Sequence, residues 1–415
     1  MIGKSQLQAI RAYLDEKLES HYLPLLREMV HINSFTANAA GVNQLGQLTA
    51  ELFAPLGFTA EFVPPANPQF GNHLVLTRPG KSGRRMGFVS HLDTVFPPEE
   101  EIRNNFRWRR QGHKIYGPGT VDIKGGTLIM YMMLDALHHF QPALYDDVTW
   151  VLLLNSAEET GSDDFGHLVR QRLAGADTVA CLVFEAGSMV KRTFQVVVAR
   201  KGMGVFEVQV EGKASHAGSA HQNGANAIVQ LAEVIRHLAN LTDYTRDVTV
   251  NVGVVSGGTV TNRVPHYAEA ALEMRAFDPT VFAETVAEIL AHNGRSTIQN
   301  GNGDFACQVR VEMIRRTEPW PRNPKTDRLL GIWQTAAQAL GYKVLPEERG
   351  GLSDGNHFWD VIPTLDGLGP SGGNAHCSEQ SADGSKEQEY CLVTSFVPKT
   401  MLNLTAVSLL LTQSS

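Results

Sequence analysis

Val148-Thr149-Trp150-Val151-Leu152-Leu153-Leu154 runs straight into Asn155-Ser156-Ala157-Glu158-Glu159-Thr160-Gly161. A short, nearly unbroken apolar run that ends in a turn reads as a buried strand of an α/β sheet. Here it delivers two adjacent carboxylates to the strand's mouth. Adjacent side chains project in different directions, so one of the pair can hold a metal ion while the other faces the reacting water. A solvated pair of surface charges is the alternative, but a strand this apolar is a poor place for an incidental one.

The same arrangement recurs on either side. His91-Leu92-Asp93 follows Phe88-Val89. Residues two apart share a strand face, so Asp93 can accept the second ring proton of His91 and orient the imidazole. Val183-Phe184-Glu185-Ala186-Gly187 places Glu185 after another apolar run. In Gly117-Pro118-Gly119-Thr120-Val121-Asp122-Ile123-Lys124-Gly125-Gly126, an aspartate stands at the head of a helix amid glycines that allow unusual backbone angles and close approach. Asp122 reads either as a plain helix cap or as the shared ligand of a two-metal site, since its two oxygens can bridge ions about 3.5–4 Å apart. Neither G-x-G-x-x-G nor G-x-x-x-x-G-K-[ST] occurs in this stretch, which disfavours a nucleotide loop. His376, in Gly372-Gly373-Asn374-Ala375-His376, completes the inventory. The adjoining Cys377 raises a thiolate ligand as an alternative, but neighbouring side chains seldom reach one ion.

The wider texture is that of an α/β domain interrupted by an α+β one. Leu7, Ile10, Leu14 and Leu18 recur at helical spacing, and a second helical pattern spans Asn43 to Leu56. Apolar runs at Leu74–Leu76, Gly87–Val89 and Thr178–Phe184 alternate with helical segments at Lys124–Phe140 and Phe165–Leu173. Beyond Arg200 the chain alternates apolar and polar residues at Phe206–Val210, Val248–Val254, Ala270–Met274 and Cys307–Met313. Two amphipathic helices lie among these strands, on Ile228, Leu231, Ile235 and Leu238 and on Phe282, Val286, Ile289 and Leu290. Strand, helix, strand, strand, helix, strand is the split βαβ or ferredoxin-like order. After Pro319 the first texture resumes, with a helix near Asp327–Leu340 and a closing helix near Thr400–Thr412. The expected domains are therefore residues 1–199 with 317–415, and an insert at 200–316. A chain of 415 residues also exceeds the roughly 250–300 at which single cores stop growing.

Thirty-six basic against 43 acidic residues give a net charge of -7 with no basic block, so neither nucleic acid nor an anionic membrane is an expected partner. The apolar stretch after Asp122, Leu128 to Leu134, is far short of the roughly 18 residues of a membrane span. Met1 to Tyr22 is polar and lacks the apolar core of a signal peptide. Cys181, Cys307, Cys377 and Cys391 form no C-x-x-C clip, and a reduced, cytoplasmic setting is expected.

The order H-x-D, G-x-x-D-x-K-G-G, E-E-x-G-S, F-E-x-G, G-K-x-S-H-A-G, S-D-G and a late histidine resembles the zinc exopeptidase and deacylase family. That family contains aminoacylase, acetylornithine deacetylase, succinyl-diaminopimelate desuccinylase and bacterial glutamate carboxypeptidase. The resemblance runs from roughly Pro24 to Leu411. It implies a mixed-sheet catalytic domain with an inserted ferredoxin-like lid that makes a homodimer. It implies two Zn2+ ions per subunit, replaceable by Co2+ or Mn2+, with Asp122 bridging, His91 and Glu185 on one ion, and Glu159 and His376 on the other. Glu158 would be the general base of hydrolysis by water, and the peptide bond after Asp122 would be cis. His216, in Gly212-Lys213-Ala214-Ser215-His216-Ala217-Gly218, would be the lid histidine that reaches a partner subunit's active site. Arg275 and Asn262 would hold the substrate's carboxylate, a surface ion pair being the plain alternative for Arg275.

Glutamate at position 185 is what carboxypeptidases and deacylases of the family carry, whereas aminopeptidases and dipeptidases more often carry aspartate. Gly350-Gly351-Leu352-Ser353-Asp354-Gly355-Asn356 looks closest to the glutamate carboxypeptidase branch. The expected substrate is thus a small peptide or N-acyl amino acid cleaved beside a free-carboxylate residue. An N-acyl amino acid deacylase or desuccinylase is the alternative, and a non-catalytic dimeric binding protein stands outside both. Cys377 occupies a position where the family usually has serine, and Glu318 lies where a basic substrate contact is expected.

Overall fold

The apolar run Thr149–Asn155 is the third strand of a six-stranded mixed sheet. The strand order is Thr59–Val63, His73–Arg78, Thr149–Asn155, Arg85–His91, Thr178–Val183, Thr364–Leu365. The first two pairings are antiparallel, and the rest are parallel. Register sets the site: His91 lies opposite Asn155, and Val89 opposite Val183. The carboxyl ends of three parallel strands therefore stop together, where open α/β sheets place their ligands. The computed structural model describes residues 2–413, which divide into two units.

The first unit comprises Met1–Val198, Arg322–Glu348 and Ser353–Ser415. Its parallel strands are buried on both faces, so they carry Phe88, Val89, Leu152, Leu153 and Leu182 without alternation. Helix Lys124–Phe140 packs against strand Arg85–His91 and against the closing helix Val393–Gln413. The closing helix begins at Val393, earlier than the expected start near Thr400, and carries Pro398 inside it. The proline costs it one backbone hydrogen bond. It is the one described helix long and apolar enough to cross a membrane, yet 89% of its most apolar stretch is buried inside the unit, so its apolarity serves the core.

Two features lay outside the sequence reading. Helix Lys4–Lys17 continues through a π-helical turn, Leu18–Tyr22, that aims the Tyr22 hydroxyl at Asp135 (2.5 Å). A small sheet joins Gly372–Gly373, Tyr390–Leu392, Lys114–Tyr116 and Arg109–Gln111. Strands of two or three residues carry no periodicity to read. The sheet is braced by Arg109 over the Tyr116 ring (3.9 Å) and Lys114 over the Tyr390 ring (3.8 Å), and it presents the turn that bears His376.

The second unit comprises Ala199–Pro321 with Arg349–Leu352. Its four-stranded antiparallel sheet has the order Thr249–Gly257, Tyr267–Ala276, Gly202–Glu211, Gln308–Thr317. Helices Ala227–Ala239 and Pro279–Leu290 cover one face, completing the ferredoxin-like order. Strand Tyr267–Ala276 buries every second residue, which packs Leu272 and Met274 with Phe206, Leu231, Phe282 and Ile289. The helices start where the sequence caps them. Asn226 accepts from the N–H groups of Ile228 and Val229, and Asp278 from those of Thr280 and Val281. Trp320 pairs with Arg200 through both backbone groups, and the Arg200 guanidinium donates to the carbonyls of Gly351 and Leu352. These bonds carry the unit to Pro321 and draw in the short Arg349–Leu352 segment.

Candidate metal centre

His91 ends a central parallel strand, and its Nε2 lies 3.0 Å from Asp122 Oδ1 and 3.7 Å from Glu185 Oε1. The other Asp122 oxygen, Oδ2, is 3.3 Å from His376 Nε2, which is 3.1 Å from Glu159 Oε2. Two clusters result, His91–Asp122–Glu185 and Asp122–Glu159–His376, each with its ligand atoms within 4.8 Å of one another. Asp122 belongs to both and offers one oxygen to each. Its peptide bond to Ile123 is cis.

These residues fit a pair of divalent cations. Two ligand atoms each about 2.0–2.1 Å from one tetrahedral ion lie about 3.3 Å apart, and the four ligand pairs above span 3.0–3.7 Å around that value. Imidazole nitrogen mixed with carboxylate oxygen suits zinc, cobalt or manganese. Glu159 Oε1 is buried with no hydrogen-bond partner among the described residues, the state of an acceptor kept for an ion.

The two histidines and Asp122 act strongly on one another through these contacts. Burial opposes charge on the His91 imidazolium, but Asp122, Asp93 and the field of Glu185 hold its pKa well above the usual value. Hydrogen bonds to Asp122 and Glu159 push His376 up to about 11. Burial resists ionisation of Asp122, yet the two histidines keep it below the usual carboxylate range.

Glu158 is half-buried beside the clusters. Burial raises its carboxyl well above the ordinary range, and Asp354, Glu185 and Glu159 push the same way against His91. Asp93 fixes the turn that carries it. One carboxylate oxygen accepts the Glu158 N–H (3.1 Å); the other accepts the Glu159 N–H (3.2 Å) and the Thr36 hydroxyl (2.7 Å). His91 Nδ1 lies nearer the Asp93 carbonyl (3.0 Å) than its carboxylate (3.4 Å). Asp93 thus orients the histidine chiefly through its backbone and leaves its side chain to the adjacent glutamates.

Sequence reasoning passed over two supports of this turn. The Asn155 amide donates to buried Asp354 (2.7 Å), while its oxygen accepts from Ala157 N–H (3.0 Å) and the Ser162 hydroxyl (2.8 Å). Buried His73 takes the Ser156 N–H on Nδ1 (3.1 Å) and faces Asp164 through Nε2 (3.3 Å). Only the S-D-G motif hinted at Asp354. Nothing in the spacing singled out His73.

The remaining candidates lie in the second unit. His216 is exposed, and its Nδ1 accepts the N–H groups of Gly218 and Ser219 (3.1 Å each), which leaves the proton on Nε2. The Asn262 carbonyl accepts from Ala217 N–H (2.9 Å), tying its loop to that of His216. Arg275 bonds Glu273 on the same strand face (3.0 Å) and the Gly350 carbonyl (3.0 Å). The ion-pair reading therefore describes its present partners.

The profile of peptidase family M20/M25/M40 matches residues 87–401. Carboxypeptidase G2 of Pseudomonas sp. (strain RS-16) is 30% identical over 250 residues, 60% of this chain and 58% of that protein. Acetylornithine deacetylase of Pectobacterium carotovorum is 27% identical over 272 residues, 61% of this chain and 67% of that protein. The match thus spans little more than half the length of carboxypeptidase G2. Among solved structures, the aminopeptidase PepT of Bacillus cereus superposes with a TM-score of 0.73 at 20% identity, covering 94% of this chain and 98% of that one.

Proposed function

The chain belongs to peptidase family M20/M25/M40, and from that premise we propose that it is a di-zinc carboxypeptidase, cleaving the amide bond beside a free-carboxylate amino acid such as glutamate. One observation carries the two-metal hydrolase part of this reading: Asp122 presents each of its oxygens to a different histidine; the carboxypeptidase part leans on Glu185 and on the likeness to carboxypeptidase G2. His91, Asp122 and Glu185 would hold one ion, and Asp122, Glu159 and His376 the other. Such a pair, when bound, polarises a carbonyl and acidifies water near neutral pH.

The chain's own groups do the rest. Glu158 takes the proton of the attacking water and passes it to the leaving amine nitrogen, a task that suits a carboxyl whose pKa burial has raised. Asp93 keeps Glu158 in reach by holding its N–H. His216, with its proton on Nε2, would donate to the oxyanion that develops in a partner subunit's site, the role the resemblance gives the lid histidine. Arg275 and Asn262 receive the substrate's carboxylate, for which the Arg275 fork would leave Glu273.

We assign a homodimer built through the inserted unit. Its edge strand Thr249–Gly257 exposes Val254 and Val255, and the first turn of helix Ala227–Ala239 exposes Ile228 and Val229. Apolar residues on an unpaired edge support such pairing. The free thiols of Cys181, Cys307, Cys377 and Cys391 accord with a cytoplasmic setting.

The 27% identity to an acetylornithine deacetylase supports a second reading, an N-acyl amino acid deacylase. Zinc- or cobalt-loaded protein, given N-acyl glutamates, N-acetylornithine, N-succinyl-diaminopimelate and free-amine dipeptides, separates the two. The carboxypeptidase reading expects aroyl- or peptidyl-glutamate to be cleaved fastest. Preference for small acyl groups on basic amino acids would replace it with the second reading, and cleavage of none would defeat both.

A further inference from the structure

Glu389 stands behind Asp122 as Asp93 stands behind Glu158 and Glu159, and we infer that it is a positioning residue for the bridging aspartate. This rests on the metal reading of the site. Glu389 is fully buried and immediately precedes the strand Tyr390–Leu392. One carboxylate oxygen accepts the N–H of Val121 (2.9 Å) and of Asp122 (3.3 Å), with the Thr120 hydroxyl at 3.5 Å.

Its backbone binds on both sides as well. The Glu389 N–H donates to the Cys377 carbonyl (2.7 Å), and its carbonyl accepts the Gly117 N–H (3.4 Å). One residue therefore ties the Asp122 loop, at two points, to the turn that bears His376. These segments supply two ligands of one cluster and lie more than 250 positions apart in sequence.

The loop needs such a tie. Gly117 and Gly119 adopt positive φ (149° and 75°) and have no side chains to lock the backbone. Helix Lys124–Phe140 begins without a side-chain cap. The N–H groups of Val121 and Asp122 thus depend on Glu389, and a buried N–H that loses its acceptor pulls the backbone toward another. The second Glu389 oxygen is buried with no hydrogen-bond partner among the described residues. Core stability alone does not favour a carboxylate in that state. Its value lies in what the first oxygen holds, as partners behind a metal ligand hold its geometry.

Two substitutions separate reach from acidity. Glu389→Gln keeps the acceptor oxygen in place and removes the acid; Glu389→Asp keeps the acid and withdraws the acceptor by one methylene. Cobalt and zinc affinities of metal-stripped protein are measured by competition with a chromogenic chelator, and the visible spectrum of the cobalt form is recorded. We expect Glu389→Gln to bind within about 3-fold of wild type, and Glu389→Asp about 10–100-fold more weakly with an altered cobalt spectrum.

Asp135→Asn is the control. Asp135 is a largely buried carboxylate held by Tyr22 and Lys17, and its loss should lower the melting temperature with metal affinity unchanged. The inference is overturned if Glu389→Gln binds no better than Glu389→Asp, or if Asp135→Asn weakens binding as much as Glu389→Asp. Should Glu389→Asp not fold, a loss beyond about 10-fold in Glu389→Gln overturns it alone, and its absence upholds it. Failure of the wild type to bind two ions would instead defeat the metal reading on which the inference rests.

Discussion

The two units hold their candidate functional side chains in opposite ways. In the first, Glu158 and Glu159 sit on a turn pinned by Asp93, Asn155 and the His73–Asp164 pair, and nearly every partner is buried. In the inserted unit, His216 and Asn262 are exposed and Arg275 half-exposed; the side-chain bonds of His216 go to Gly218 and Ser219, and the ion pair of Arg275 is with Glu273, two positions away. The contrast teaches where each kind of precision resides. Groups that share a proton or an ion need neighbours that cannot move, whereas groups that must meet a substrate keep local partners that they can exchange.

Glu158→Gln probes the rigid side of this contrast and should have the largest effect. General acid–base catalysis contributes about 10²–10⁴-fold, and glutamine keeps the shape of the turn while losing the base. We expect turnover to fall within that range with metal content and melting temperature unchanged, as read by kinetics beside elemental analysis. Loss of metal in parallel with activity would make Glu158 a ligand and dissolve the distinction from Glu159.

His216→Ala probes the adaptable side. The side chain is exposed and accepts only two local N–H groups, so stability should change by no more than about 0.5 kcal/mol. Turnover should fall about 10²-fold, the effect of losing one oxyanion donor, with metal content unchanged. Unchanged turnover would remove the lid role and leave the insert without a catalytic group.

What was legible in the sequence follows the same division. His91, Glu159 and Glu185 each stand where an apolar strand stops, and Asp122 stands in a glycine-rich loop before a helix, so a linear reading picks out side chains that lie within reach of one another in the two clusters. The alternation in Tyr267–Ala276 likewise declares a half-buried sheet. The supports were not legible. Glu389 reads as one more polar residue in Lys386-Glu387-Gln388-Glu389, and its meaning comes from a backbone N–H some 270 residues away. His73 and the small sheet at Gly372–Gly373 were hidden for the same reason: long-range bonds leave no local period.

Arg275→Ala tests whether a local ion pair can be exchanged for a substrate. Glu273 already occupies the fork, so binding substrate means trading one carboxylate for another. We expect KM to rise about 10-fold with kcat nearly unchanged, the mark of a contact equal in ground and transition states. Arg275→Lys should not restore it, because an ammonium lacks the two-pronged geometry. Unaltered KM would leave Arg275 as the surface ion pair it also resembles.

The smallest effect sets one acid from each unit side by side. Asp164 accepts the Ala66 N–H (2.5 Å) and faces His73, whose hydrogen bond is the chief reason its pKa is lowered to about 2, burial opposing. A depressed carboxyl stabilises the fold above its unfolded pKa near 3.8, and that contribution is lost as pH falls through about 2. Urea unfolding of wild type and Asp164→Asn, both kept metal-free by chelator, should show a gap of on the order of 1–2 kcal/mol above pH 5 that closes near pH 2. Asp304 in the insert also has a lowered pKa, through Asn300 and Lys213, but it is exposed, and solvent screens what it gains. Asp304→Asn should therefore show no such closing gap. A gap as large for Asp304 as for Asp164 would mean that the insert's local networks are as rigid as those beneath Glu158, and the contrast between the units would have to rest on exposure alone.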